Sequence, residues 1–385
     1  MSAPGTPEPS MSTESPTPTT AAAPRGALAR LLDSDLLHGF LRSPITVLSA
    51  LIVLAILIAA LLAPVIAPQN PFDPATLNLM DGFSRPMQAN AFTGNVYWLG
   101  TDAQGRDLFS AILYGSRVSL LVGFAAVAFA AVLGIALGLI AGYRGGWVDS
   151  LIMRIADVQL SFPAILVALL IFGVFKGVVP PALHDKAAIY VLILAIGLSD
   201  WVQYARTVRS STLAERNKEY VQAARVIGVP APTILLRHIL PNVMGPVLVI
   251  ATIGLALAII LESTLSFLGV GVPPTQPSLG TLIRVGQDYL FSGEWWIVFF
   301  PGLTLLLLAL SVNLLGDWLR DALDPSCADE RAAHRPDERR WRPAAAVGTQ
   351  PARGISPPAR DAGGARRRLL RHRARRGARR GGRVG

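Results

Sequence analysis

Lysine, cysteine and charge are all scarce in this chain. Its only lysines are Lys176, Lys186 and Lys218, preceded by Phe175, Asp185 and Asn217. No Gly-Lys-Ser/Thr phosphate loop therefore exists, and the chain cannot hydrolyse ATP by that route. The single cysteine, Cys327, excludes an internal disulfide and a cysteine metal cluster. None of the five histidines (His38, His184, His238, His334, His372) is followed by Glu, so there is no His-Glu-x-x-His zinc helix. Nor is there a Gly-x-Ser-x-Gly nucleophile elbow. An intramembrane hydrolase, the enzyme-class rival, finds no residues to build on. The expectation is a protein without catalytic residues, metal or cofactor.

What is present is apolar. Hydrophobic residues make up 52% of the chain, charged residues 16%, and the mean hydropathy is +0.46, a membrane-protein composition. The net charge of +10 misleads. Residues 331–385 hold 17 Arg and 3 acids (Asp337, Glu338, Asp361), a net +14, whereas the first 330 residues hold 18 basic and 22 acidic, a net −4. The high isoelectric point belongs to the tail. Residues 1–24 are Ser, Thr, Pro and Ala without periodicity, so a disordered cytoplasmic segment is expected over 1–35. It is not a signal peptide, because the first apolar run begins only near Ile45. Residues 327–385 form a basic low-complexity tail. Two readings stand side by side: an arm touching anionic lipid or nucleic acid, and a frameshifted or read-through C-terminus.

Six apolar runs are expected to cross a bilayer: 45–63, 118–143, 158–175 (opened by Pro163), 187–199 (ending at Asp200 and Trp201), 239–261 and 295–316. Loop charges orient them. With the N-terminus inside, inner segments carry Arg25, Arg30, Arg42, Arg144, Arg154, Arg206, Arg209, Arg216, Lys218, Arg225, Arg237 and Arg320. Outer segments carry Arg85, Arg106, Lys176, Lys186 and Arg284, with Arg117 on a boundary. Both termini and residues 213–243 are thus expected in the cytoplasm, and residues 69–116 outside.

The segment 213–243 is the most polar stretch between two very apolar ones. Tyr220, Ala223, Ala224 and Ile227 recur at i, i+3, i+4 and i+7, one helical face, while Lys218, Gln222 and Arg225 occupy another. Gly228 supplies a stop with positive φ, and Pro230 and Pro232 prevent continuation. A second short helix is expected from near Thr233 to a break at Pro241. The spacing Gln222-Ala223-Ala224, three residues, Gly228, nine residues, then His238-Ile239-Leu240-Pro241 resembles the EAA loop of bacterial ABC-importer permeases. That loop reads EAA, three residues, Gly, nine residues, I-x-L-P. Gln222 replaces the usual Glu and loses its charge; His238 replaces the usual Ile.

Other runs carry the same resemblance. WLGTDAQGRDLFSAILYGSRVSL, with Thr101, Asp102, Gly105, Arg106, Asp107, Gly115 and Arg117, is similar to the signature before the second span in the C-type permease of dipeptide and oligopeptide importers. On physical grounds Thr101 or Asp102 can cap a short helix on the outer face, and Asp102 can pair with Arg106; two carboxylates alone make a poor calcium site. GYRGGWVDSLIMRIADVQLSFP, LESTLSFLGVG and GDWLRDALDP are also family-like. Gly134, Gly138 and Gly142, every fourth residue, let another helix approach closely. Arg154 and Asp157 stand three apart and can pair. Glu262 lies within a span, where a carboxylate is costly. It either lines the substrate path, or makes a helix–helix hydrogen bond, or is a protonated acid near the outer interface.

The resemblance covers about residues 36–326. It implies an all-α membrane protein with six transmembrane helices and a cytoplasmic EAA-type coupling helix–turn–helix. A first span and external segment would occupy 36–116, and the permease core 117–326. It implies a bacterial inner-membrane complex: a second homologous permease, two ATP-binding subunits and an external substrate-binding protein, moving a di- or oligopeptide, or nickel, across the lipid bilayer. The coupling residues would be Tyr220, Gln222, Ala223, Ala224, Gly228, Leu240 and Pro241. A secondary transporter driven by an ion gradient is the alternative; internal repeats and several mid-depth ionisable residues would mark it, and here only Glu262 stands out.

Overall fold

The computed structural model describes residues 35–323, apart from Pro274 and Pro277. The N-terminal segment 1–34 and the basic tail 327–385 lie outside the described residues.

Ten helices carry the architecture of the described residues. Helix α1 (Asp35–Arg42) leads into α2 (Pro44–Leu61), which Ser43 caps by accepting from the Thr46 amide while Pro44 takes the first turn. After a single turn at Ala63–Ile66 the chain runs irregularly to α3 (Leu108–Arg144). Then follow α4 (Gly146–Leu160), α5 (Ala164–Val178), α6 (His184–Glu215) and α7 (Glu219–Val226). One turn at Ala231–Thr233 and a π-helical stretch at Ile234–Ile239 feed α8 (Leu240–Phe267). Helices α9 (Leu279–Gln287) and α10 (Trp296–Leu323) close the fold. Among the described residues five helices are long and apolar enough to cross a membrane, and six spans result if the bent pair α4–α5 is one of them.

Four details depart from the expectations. The third span is not straight: α4 and α5 meet at 95°. Pro163 has no N–H to give the ladder and forces Phe162 out of helical geometry. The Gln159 amide then fastens the break to α6, donating to the Ser199 carbonyl (3.1 Å) and accepting from Trp201 Nε1 (2.7 Å). The fourth span is 32 residues long rather than a short run, so Asp200 and Trp201 lie inside it. Arg154 and Asp157 do not pair; Asp157 instead meets Arg206 of α6 (2.6 Å), and Asp149 accepts from both Arg209 Nη2 (2.6 Å) and Nε. A cation projecting from the neighbouring helix reaches these carboxylates more directly than one on the same turn. Finally, Pro241 does not end a helix. The wider π turn, with the Leu240 amide bonded to the Leu235 carbonyl, makes room for the ring that would strike the preceding turn. Chain 231–267 therefore continues as one span.

The glycine strip packs as expected. A Cβ on Gly138 would stand 2.6 Å from the Ala205 carbonyl oxygen and 2.8 Å from Val208 Cβ; one on Gly142 would stand 2.7 Å from Thr212 Cβ. Helices α3 and α6 thus touch backbone to backbone and form the spine of the bundle.

At one end of the bundle, residues 69–107 fold as a polar knot. No short helix is capped by Thr101 or Asp102. Asp102 Oδ1 instead accepts from the Gln104 and Arg106 amides (2.8 and 3.0 Å) and pairs with Arg106 at 3.8 Å. Burial raises its pKa, opposed by these amides and by Arg106. Asp107 caps α3 itself, accepting from the Ser110 amide at 2.9 Å. Asp81 is buried and accepts from Thr93, Asn95 (3.1 Å) and Tyr97 (2.9 Å). Burial works against its ionisation, but the three donors win and its pKa is lowered.

Candidate functional site: a helix–turn–helix at the end of the bundle

The opposite end carries the segment singled out in the sequence. Helix α7 has Glu219 in its first turn and Arg225 in its last, charges that suit the helix dipole. Its end is a complete Schellman motif. The Gly228 amide bonds the Arg225 carbonyl and the Val229 amide bonds the Ala224 carbonyl, both at 3.0 Å, with Gly228 at φ +86°. That is the left-handed conformation expected there. No atom crowds a Cβ at Gly228, so a side chain would suffer from the backbone angle alone.

The apolar face expected from spacing is divided. Ala224 is 7% exposed and Val221 fully buried, both in a cluster with Leu139 of α3, Tyr204 and Val208 of α6, and Ile234, Ile239 and Val243. Ala223 is exposed, as are Ile227 (80%) and Val226 (88%). One side of the short helix anchors it to the spans, and the other presents aliphatic surface outward. Val221 escapes the spacing argument because that argument draws the face through Tyr220 rather than one residue on.

Tyr220 is a clasp. Its hydroxyl donates to Glu215 and accepts from Asn242 Nδ2 (2.9 Å), joining the ends of α6 and α8. Burial first, then the Glu215 carboxylate, raises its pKa. Lys218 also pairs with Glu215 at 2.6 Å. Arg225 lies over the Tyr143 ring at 4.8 Å, and Arg216 Nη1 donates to the Gly142 carbonyl at 2.8 Å. Gln222 and Pro241 are exposed and Leu240 is half-buried. The elements thus bring Tyr220, Gln222, Ala223, Ala224 and Gly228 onto one small knob, with Leu240 and Pro241 at its return into α8.

Glu262 lies far from the knob. It is 0% exposed, accepting from Ser266 Oγ (2.8 Å) and Ser263 Oγ (3.2 Å), with Ser119 and Ser278 also on its carboxylate. Ser119 Oγ in turn accepts from the Leu279 amide at 3.2 Å. Enclosed by serines from α3, α8 and the start of α9, Glu262 faces no open surface. It ties α3, α8 and the start of α9 together in this structure.

Comparison with known proteins assigns this all-helical body of five or six candidate spans, with a helix–turn–helix anchored at one end, to a family. Residues 134–328 match the family described as binding-protein-dependent transport system inner membrane component, and residues 34–86 match the N-terminal TM domain of oligopeptide transport permease C. The dipeptide transport system permease protein DppC of Alkalihalophilus pseudofirmus is 35% identical over 284 residues, 74% of this chain and 86% of that protein. The di/tripeptide permease DppC of Pseudomonas aeruginosa is 37% identical, covering 71% and 86%. The oligopeptide permease OppC of Bacillus subtilis is 34% identical, covering 76% and 88%. A structure of the MetNI methionine ABC transporter in an inward-facing conformation aligns with TM-score 0.44 and 18% identity, covering 56% of this chain and 96% of that one. The chain belongs to the inner-membrane permeases of binding-protein-dependent ABC importers, in the dipeptide/oligopeptide C-type group.

Proposed function

We propose that the chain is one half of the transmembrane path of an ATP-driven importer of di- and oligopeptides. It works beside a second homologous permease, with two ATP-binding subunits and an external substrate-binding protein, and both termini face the cytoplasm. Peptide rather than nickel is favoured because the relatives named above are peptide permeases. The knob at 213–243 docks into a groove on an ATP-binding subunit and carries its closure to the spans.

The observation that supports this reading is the division of α7: Val221 and Ala224 rooted in the body, Val226 and Ile227 left in solvent. A loop with no partner has no use for two adjacent exposed aliphatics on a rigid base. Burying each stabilises a contact by about 1.5–3 kcal/mol. The anchored face means that a push on the knob moves α3, α6 and α8 rather than bending a loop.

The test is the double variant Val226→Asp/Ile227→Asp in a reconstituted complex. Capture of the ATP-binding subunit and peptide-stimulated ATP hydrolysis should both fall by about tenfold or more, while the permease pair still co-elutes. Full coupling in that variant would show the knob to be a solvated loop.

A further inference from the structure

A second membrane-depth acid, Asp200, is left free by every contact described so far. Gly197 of α6 packs on Ala126 and Phe129 of α3, and Gly134 of α3 packs on Trp201. Asp200 is therefore level with residues 129–134 of α3. The charge-free run of α3 is bounded by Arg117 and Arg144, so its middle falls near Ala130. Asp200 thus lies within the membrane-spanning part of α6, whichever end faces the cytoplasm.

Among the described residues no side chain pairs with it. The arginines further along α6 are already committed, Arg206 to Asp157 and Arg209 to Asp149. Asp200 is half-buried and keeps open surface. An acid at the centre of a spanning helix costs roughly 2.5–3.5 kcal/mol against lipid, so its open side should not face acyl chains.

The face it occupies changes character at that level. Toward the 69–107 end, the same face carries Ile196, Ile193 and Ile189 at helical spacing, with Ile196 closed off. Toward the knob it carries the exposed Gln203, the half-buried Thr207 and the buried Tyr204. A polar track on a spanning helix faces water. Asp200 stands at its head, beside the α4–α5 break that Gln159 pins to Ser199.

We infer that Asp200 lines the substrate path and receives the α-ammonium of the transported peptide within the span. This rests on the reading of the chain as a peptide permease. The chemistry follows from the position: an anion in a low-dielectric surround, at the end of a polar track, takes a compact cationic donor most strongly. Every unmodified peptide carries one at its N-terminus, whatever its side chains.

The experiment uses the full complex in liposomes, with Cys327→Ser as parent and radiolabelled dialanine as substrate. Gln203→Cys, one turn along the same face, should react with methanethiosulfonate-ethylammonium, and peptide-loaded binding protein with ATP should slow that reaction. Asp200→Asn should lower dialanine uptake by about tenfold or more, with Asp200→Glu recovering most of it and the complex still assembled. A Gln203→Cys that no reagent reaches, or that peptide does not protect, overturns the inference, as does an Asp200→Asn that transports like the parent. Loss of assembly in Asp200→Asn would assign the carboxylate to a cation of the second permease instead. A parent that takes up no dialanine overturns the permease reading itself, and this inference with it.

Discussion

Ala223 and Ala224 are neighbours in sequence and opposites in environment. Spacing alone puts both on one contact face, and on that view a charge at either should block docking. The structure separates them: Ala224 is packed against the cluster of Val221, Tyr204 and Ile234, and Ala223 is in solvent. Ala224→Glu should therefore damage the permease itself, forcing a carboxylate into a core at a cost of several kcal/mol, and should lower the melting temperature of the detergent-solubilised subunit. Ala223→Glu should leave that temperature unchanged and weaken only capture of the ATP-binding subunit. Gly228→Val should lie between, costing about 1–3 kcal/mol because φ +86° is hostile to a β-branched residue. Equal melting temperatures for the two alanine variants would refute the division of the helix. The positive φ at Gly228 was legible because a glycine followed closely by Pro230 and Pro232 leaves few other ways to stop. Which alanine faces inward was not, since a strip of 100° per residue fixes spacing and not rotation.

At the scale of elements, runs of apolar residues locate spans well and their ends poorly. The first, second, fifth and sixth expected spans lie within or nearly within α2, α3, α8 and α10, yet α3 starts ten residues before its expected beginning at 118. Arg117 and the polar residues before it remain helical because Asp107 caps the helix where the chain leaves the knot at 69–107. Hydropathy also hides the length of α6: a helix continues through Arg206 and Arg209 when neighbours pair its charges, and hydropathy cannot see the neighbour. The 95° break at Pro163 needed Gln159, whose partners lie some forty residues away in sequence. The glycine strip was legible because only a helix held at backbone distance requires a small residue every fourth position. Gly138→Val tests that contact. With the Ala205 carbonyl and Val208 Cβ both under 3 Å from the new Cβ, α3 and α6 must part, and overpacking of this kind costs about 1–3 kcal/mol or more. The variant should unfold at lower temperature in detergent, whereas Gly173→Val on α5, where nothing lies within 4 Å, should not.

The whole molecule has two unlike ends, and the difference fixes how it should sit in a bilayer. The knob end gathers Arg144, Arg154, Arg206, Arg209, Arg216, Lys218, Arg225 and Arg237, several of them tied to carboxylates or to the Gly142 carbonyl. The 69–107 end offers Arg85 and Arg106, with Lys176 on α5, Lys186 on α6 and Arg284 on α9. Positive residues near span ends are retained on the cytoplasmic side, so the knob should face the cytoplasm, the only compartment where an ATP-binding subunit can meet it. The acidic groups of the far knot reinforce the assignment in a different way: Asp81, Asp102 and Asp107 are satisfied by their own loops, so that end folds without any partner from inside the cell. Reporter positions follow from exposure. Asn90 is a poor choice, because its side chain holds the turn through Ser84 and the Phe92 amide. Phe92, 84% exposed, and Asn217, exposed between α6 and α7, can each carry a cysteine in a Cys327→Ser background. On intact spheroplasts a membrane-impermeant maleimide should label Phe92→Cys and spare Asn217→Cys, and permeabilisation should expose both. Labelling of Asn217→Cys alone before permeabilisation would invert the molecule and put the knob where no ATP-binding subunit can reach it.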